Sequence, residues 1–166
     1  IQAGKLDIRE APFDLAALVG ESLDFFKLQA RDKDLVLRAD IDPLSRKHYL
    51  GDAGRIRQIL FNLVGNAVKF TDAGGVEVEA YPLPGGEPDA CRVLFAVSDT
   101  GIGMAEEGMD ELFKPFIQAD TGYDRRFQGA GLGLSIVRRL VDIMGGHVDA
   151  ASRPGQGTVF HFGAVP

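Results

Sequence analysis

The chain has 166 residues, 45% hydrophobic and 25% charged, which suits one globular domain able to bury a core. Its net charge of −6 argues against nucleic-acid or anionic-membrane surface partners, both of which need a basic face. One cysteine, Cys91, excludes an internal disulfide and fits a reducing compartment. No apolar run approaches the length of a membrane span, and no signal peptide is visible. The opening residues, Ile1-Gln-Ala-Gly-Lys5, lack an initiating Met and read as the start of a fragment.

Taken in chain order, Lys5–Glu10 alternates like a short strand. Phe13–Asp32 has Leu15, Leu18, Val19, Ser22, Leu23 and Phe26 at helical spacing, with Asp14 as a cap after Pro12. Asp34–Ile41 alternates Leu35, Leu37, Ala39 and Ile41 inward, as a strand does. Asp52–Phe70 is a second helix. Val76–Tyr81 and Arg92–Asp99 read as strands, joined by the turn-rich Pro82-Leu-Pro-Gly-Gly-Glu-Pro-Asp-Ala90. Gly108–Phe113 reads as a short helix and Ile117–Gln128 as a loop. Leu132–Met144 is a third long helix, ended by Gly145-Gly146. His147–Ser152 and Thr158–Phe162 form a closing hairpin. Helices and strands mix without strict alternation. The expected class is therefore α+β, a two-layer sandwich.

Two segments carry the chemistry. On the second helix, Ile56, Ile59, Leu60, Leu63, Val64, Ala67 and Val68 share one face. Gln58, Asn62, Asn66 and Lys69 share the other, since steps of three and four stay in register. A plain solvated face is the alternative. However, Asn is a poor helix former, and a solvent face would use Lys, Glu or Arg. Two Asn one turn apart suit a hard cation such as Mg²⁺, which takes one or two protein oxygens besides phosphates and water. Lys69 adds a point charge for phosphate.

The second segment starts at Asp99, at the end of the apolar strand Val93–Val97. Its carboxylate there can accept from the exocyclic amine of adenine, which guanine lacks at that position. Gly101 and Gly103 let the backbone approach a flat ring, or simply form a turn capped by Asp99. Gly129-Ala-Gly131-Leu132-Gly133-Leu134 runs into the third helix, whose N-terminus suits an anion. No strongly apolar strand leads into this run, so a dinucleotide fold fits poorly, and the P-loop pattern is absent. Gly155-Gln-Gly157 reads as a hairpin turn, with the Thr158 hydroxyl able to face the pocket.

The order Asn62…Asn66-Ala-Val-Lys69-Phe-Thr, Asp99-Thr-Gly101-Ile-Gly103, Phe113-Lys-Pro-Phe116, Gly129-Ala-Gly-Leu-Gly133-Leu and Gly155-Gln-Gly-Thr158 resembles the N, G1, F, G2 and G3 boxes of sensor histidine kinases. The resemblance covers nearly the whole chain, and five boxes in order are highly specific. It implies the Bergerat fold: a mixed, mainly antiparallel sheet packed on three helices, with ATP between the helix layer and a lid. Residues 1–12 would be the end of a linker from a dimerisation helix, and 13–166 the catalytic, ATP-binding domain.

Carried over by position, Asn66 would be the Mg²⁺ ligand, supported by Asn62. Lys69 would contact phosphate and Asp99 would read the adenine amine. Gly101 and Gly103 would frame the adenine pocket, while Gly129, Gly131, Leu132 and Gly133 would bound the triphosphate. Phe113 and Phe116 would pack the base of a lid over roughly Gln118–Gln128, from which Arg125 or Arg126 could reach the γ-phosphate. For these arginines, a solvated loop charge is the other reading. Ala130 lacks the hydroxyl that many members carry, and Gln128 stands where many have Gly.

Phosphoryl transfer needs positioning and charge neutralisation more than covalent help. The chain offers both but no acceptor: His48, His147 and His161 read as structural or surface residues. The acceptor histidine is expected upstream, on the dimerisation helices of a homodimeric cytoplasmic kinase that serves a response regulator receiver. Gyrase- or mismatch-repair-type ATPases, the competing reading, place Glu where this chain has Asn62, and an amide cannot activate water. A nucleotide-binding regulatory module is the third possibility.

Overall fold

The computed structural model describes residues 7–43, 48–83, 92–111 and 130–164. Among these residues there are seven strands: β1 (Ala11–Asp14), β2 (Val36–Ile41), β3 (His48–Gly51), β4 (Gly75–Leu83), β5 (Arg92–Asp99), β6 (Val148–Arg153) and β7 (Gly157–Ala164). The helices are α1 (Leu15–Asp24), α2 (Lys27–Asp32), α3 (Ala53–Phe70), α4 (Glu106–Glu111) and α5 (Ala130–Ile143). A five-stranded sheet runs β2-β4-β5-β7-β6, with β2 and β4 parallel and every other pair antiparallel. The long helices α1, α3 and α5 cover one face of it, as the α+β two-layer sandwich requires. A separate ribbon pairs β1 with β3.

The core lies between these layers. Ile59, Leu63 and Val64 of α3 are fully buried, as are Leu15, Val19 and Val137 of the flanking helices. Across the interface, Phe95 and Phe162 stack with ring centroids 4.6 Å apart on neighbouring strands. The apolar stripe of α3 is the one its periodicity predicts, with all seven expected positions buried.

Four expectations shift. The strand placed at Lys5–Glu10 lies further on, at Ala11–Asp14, because its partner is β3, a strand too short and mixed in character to read from sequence. Residues 7–10 are irregular. A boundary between residues 12 and 13 therefore falls inside a paired strand. The single helix expected over 13–32 breaks at Phe25-Phe26, where Phe26 (φ −97°, ψ 1°) leaves the helical region. The break turns both rings edge-on toward Phe61 of α3, at centroid distances of 5.0 and 5.8 Å. Of the inward set expected on β2, Leu35 just before it is buried and Leu37 and Ile41 pack half-buried against the core, while Ala39 is exposed on this edge strand. Finally, the short helix is α4 at Glu106–Glu111 rather than Gly108–Phe113, whose Phe113 lies outside the described residues.

The ends of α3 are tied to other parts of the chain. At its N-terminus, Asp52 Oδ1 accepts from Arg55 N (3.1 Å), and Oδ2 accepts from Arg9 N (2.9 Å). One carboxylate thus caps the helix and anchors the incoming chain. At its C-terminus, Thr71 is extended and provides no αL cap. Instead Lys33 Nζ donates to the carbonyls of Val68 (2.9 Å), Lys69 (3.0 Å) and Thr71 (3.2 Å). The carbonyl of Phe70 accepts from Ile102 N (3.2 Å).

Replacing Asp52 by Ala should lower stability by about 1–2 kcal/mol through loss of the cap and of the Arg9 anchor. Asn, which retains a cap acceptor, should restore most of it. Urea denaturation of both variants measures the difference.

Candidate nucleotide site

The polar face of α3, the turn after β5 and the start of α5 meet on one side of the helix layer. Asn66, Ala67 and Phe70 of α3 line a cavity there. Asp99, Ile102, Gly103 and Met104 line it from the turn, Leu134 from α5, and Thr158 and Phe160 from β7. Its free space is about 30 Å³, roughly one water's share of liquid volume. A larger cavity of about 250 Å³ sits beneath the β1–β3 ribbon, lined by apolar groups such as Ile8, Phe13 and Tyr49, and touches none of the expected site residues.

Asp99 sits at the last ladder position of β5, opposite Val76 and Thr158. Its Oδ1 accepts from Gly101 N (2.9 Å) and Thr158 N (3.3 Å). Both bonds end on the same oxygen, which leaves Oδ2 for a ligand. Burial pushes the carboxyl above the ordinary aspartate value, and the two N–H bonds pull it part of the way back. A carboxylate that is half desolvated and half satisfied is a strong acceptor for an incoming N–H donor.

The two glycines of this turn have different jobs. Gly103 lines the cavity at φ +65°, and a Cβ there would lie 1.9 Å from the Arg153 carbonyl oxygen. Only glycine fits. Gly101 is buried, and its open face meets the Phe70 carbonyl (2.5 Å from a built Cβ) and Thr71 Oγ1 (2.9 Å). It therefore makes room for the protein itself, while Gly103 alone borders the cavity.

Asn62 and Asn66 are half-buried and point toward α5. A Cβ placed on Gly133 would lie 3.8 Å from both Asn62 Oδ1 and Asn66 Nδ2. Asn66 Nδ2 is buried without a hydrogen-bond partner among the described residues. An orphaned amide facing the first turn of a helix is an unfilled valence, which phosphate oxygens would fill as acceptors. Turned over, the same amide offers an oxygen to a cation, and the two orientations are an assignment. No group of three His, Cys, Asp or Glu occurs among the described residues. A metal here would take amide oxygen and draw its remaining ligands from phosphate and water, which fits Mg²⁺.

Gly131 and Leu132 belong to the first turn of α5, which starts at Ala130, two residues earlier than its periodicity suggests. The glycine run is thus helix in part, rather than a loop ahead of one. Lys69 is exposed, with its ammonium 5.4 Å from the Phe70 ring centroid, and does not line the cavity. Phe113, Phe116, Arg125, Arg126 and Gly129 lie outside the described residues.

Ser152, absent from the sequence expectations, ties the site's far wall together. Met104 N donates to its Oγ (2.8 Å), its hydroxyl reaches the Gly157 carbonyl (3.0 Å), and Thr158 Oγ1 lies 2.8 Å away. The Thr158 hydroxyl thus faces Ser152. The available signal was a polar residue at an inward position of the alternating strand β6.

Residues 51–166 match the family described as histidine kinase-, DNA gyrase B- and HSP90-like ATPase, and the chain belongs to it. Within that family it sides with the histidine kinases. It is 39% identical over 162 residues to the sensory/regulatory protein RpfC of Xanthomonas campestris pv. campestris, covering 98% of this chain and 22% of RpfC. Full-length ShkA, solved in complex with AMPPNP, superposes with a TM-score of 0.83 at 40% identity, covering 98% of this chain and 32% of ShkA. The catalytic domain of histidine kinase ThkA gives 0.72 at 29% identity, covering 94% of this chain and 95% of that domain. The chain spans about a fifth of the length of the curated relatives it matches.

The raised Asp99 carboxyl makes a prediction about stability. A group that ionises less readily folded than unfolded favours folding while protonated; that contribution is present below the ordinary aspartate range and is lost as pH rises through the raised value. At neutral pH, Asp99→Asn should therefore melt at or above the wild-type temperature, because Asn can still accept from Gly101 and Thr158. The advantage should shrink as pH falls through the raised value toward the ordinary aspartate range, because the wild-type carboxyl takes up its proton on the way. Thermal melts across this range measure it.

Proposed function

We propose that this chain binds Mg-ATP and donates the γ-phosphate to a histidine on a separate segment of its parent protein. The observation that carries the reading is the pairing, along one cavity, of a desolvated Asp99 carboxylate and an unpartnered Asn66 amide. One is suited to the amine edge of adenine, the other to the metal–phosphate end. Their spacing along α3 and β5 sets the direction in which the nucleotide lies.

Asp99 Oδ2 accepts from the adenine amine, and Gly103 lets the ring approach the backbone. Asn66, seconded by Asn62, holds the magnesium, which when bound neutralises phosphate charge. Lys69, exposed at the end of α3, turns toward the phosphates. Gly129, Gly131 and Gly133 let the start of α5 come close to them, with its N–H groups directed at the anion. The resemblance assigns the γ-phosphate to Arg125 or Arg126 and the base of a lid to Phe113 and Phe116, all outside the described residues.

The family includes hydrolases, but Asn62 stands where a hydrolase would place a base. An amide takes no proton from water, so transfer to a protein side chain is favoured. None of the three histidines lines the cavity: His48 and His161 lie on β3 and β7, and His147 precedes β6. The acceptor is therefore assigned to upstream dimerisation helices of a homodimeric, cytoplasmic two-component kinase, with a receiver domain downstream in the relay. Among the described residues no helix is long and apolar enough to cross a membrane.

In calorimetry, Asp99→Asn should weaken ATP binding by roughly tenfold or more, the loss of one charge-assisted hydrogen bond. Asn66→Ala should abolish mainly the difference between titrations with and without Mg²⁺. An equal effect in both titrations would remove Asn66 from the metal.

Phosphotransfer has its own test. The chain, γ-labelled ATP and the upstream helical segment of the same parent are mixed, and label should appear on a histidine of that segment. Nucleotide binding without such labelling would leave a regulatory module as the better reading.

A further inference from the structure

We infer that Lys33 is a positioning residue of the nucleotide site, acting on it through the C-terminal end of α3. The inference rests on the nucleotide reading above and adds a residue that never touches the cavity. Asn66, Ala67 and Phe70 line the cavity from the last turn of α3. A helix end leaves its final carbonyls without partners inside the helix. Here they are not closed by glycine in a left-handed cap, because Thr71 is extended and passes directly toward β4. The partners come from outside, and Lys33 supplies three of the bonds.

Its ammonium has three donors, and the structure gives each an acceptor: the carbonyls of Val68, Lys69 and Thr71, at 2.9, 3.0 and 3.2 Å. The cation also meets the negative end of the α3 dipole. The remaining carbonyl in this stretch, Phe70 O, accepts from Ile102 N, so the turn carrying Asp99, Gly101 and Gly103 is docked on the same helix end. Lys33 thus fixes the last turn of α3, which in turn fixes both cavity walls.

Lys33 is itself firmly placed. Its N–H and that of Leu35 both donate to Ala30 O, and Asp34 takes a left-handed φ of 54°, which turns the chain into β2. Val36 N then donates to Gly74 O, three residues beyond Thr71. The ammonium reaches the helix end from a backbone already bound to the neighbouring turn.

Lys33→Met keeps the aliphatic stem and removes all donors, whereas Lys33→Arg keeps charge and donors. Both are compared in the 166-residue chain with Val19→Ala, a core truncation on α1 away from the cavity. Two quantities are read well below each melting point: Mg-ATP affinity, and amide hydrogen exchange at Ile102 relative to Val97 in the sheet. Lys33→Met should weaken Mg-ATP binding by roughly tenfold and speed exchange at Ile102 selectively. Lys33→Arg should recover much of both, and Val19→Ala should change neither selectively, whatever its loss of melting temperature.

Unchanged affinity and unchanged Ile102 exchange in Lys33→Met would overturn the inference, as would an equal affinity loss in Val19→Ala. If wild-type chain fails to bind Mg-ATP, the nucleotide reading falls by itself. The Ile102 exchange then still decides whether Lys33 holds the turn.

Discussion

The site depends on how closely two backbone segments approach one another. At Gly103, a Cβ would lie 1.9 Å from the Arg153 carbonyl oxygen; at Gly157 it would lie 1.9 Å from that of Asp99. Both glycines have positive φ, so the turn after β5 and the β6–β7 turn interlock as main chain against main chain. That contact lets Thr158 N reach the Asp99 carboxylate, Gly155 N reach Ile102 O (2.7 Å) and Met104 N reach Ser152. Side chains at either position would push the hairpin away, and the carboxylate would lose one of its two backbone donors.

Electrostatics follows from the same contact. Two N–H bonds to one oxygen are too few to offset burial fully, so the Asp99 carboxyl remains above its ordinary value. A fully satisfied carboxylate would be more stable and less useful. The same holds for Asn66, whose buried nitrogen lacks a partner among the described residues. Both deficits are local, and both lie along one cavity.

Much of this was legible in the residues. The stripe of α3, the cap at Asp14, the β4–β5 pair and the closing hairpin follow from periodicity and turn chemistry, and the amides opposite the stripe follow from helix geometry. What could not be read depends on tertiary contact. The β1–β3 ribbon pairs short strands separated by more than thirty residues, and neither strand alternates clearly. The break at Phe25-Phe26 reflects rings turning toward Phe61, where helix propensity alone favours continuity. Lys33 looks like an ordinary surface polar residue, and its partners are backbone atoms, which carry no side-chain signature. Ser152 showed only as a polar residue at an inward position of β6, with nothing to name its partners.

Building the site on α3 has a physical consequence. The helix that presents Asn62 and Asn66 also has Ile59, Leu63 and Val64 fully buried on its other face. The amides are therefore held by the core itself, and their positions cannot drift without disturbing packing. A loop could present the same groups, but it would lose more conformational entropy in ordering them around a ligand. The weak point of such an arrangement is the helix end, where packing gives way to unpaired carbonyls. In this chain that end is closed from two sides, by the ammonium of Lys33 just past α2 and by the backbone of the turn that carries Asp99. The closure joins the Asn66 and Asp99 sides of the cavity, so the distance between them is set by hydrogen bonds to one turn of helix.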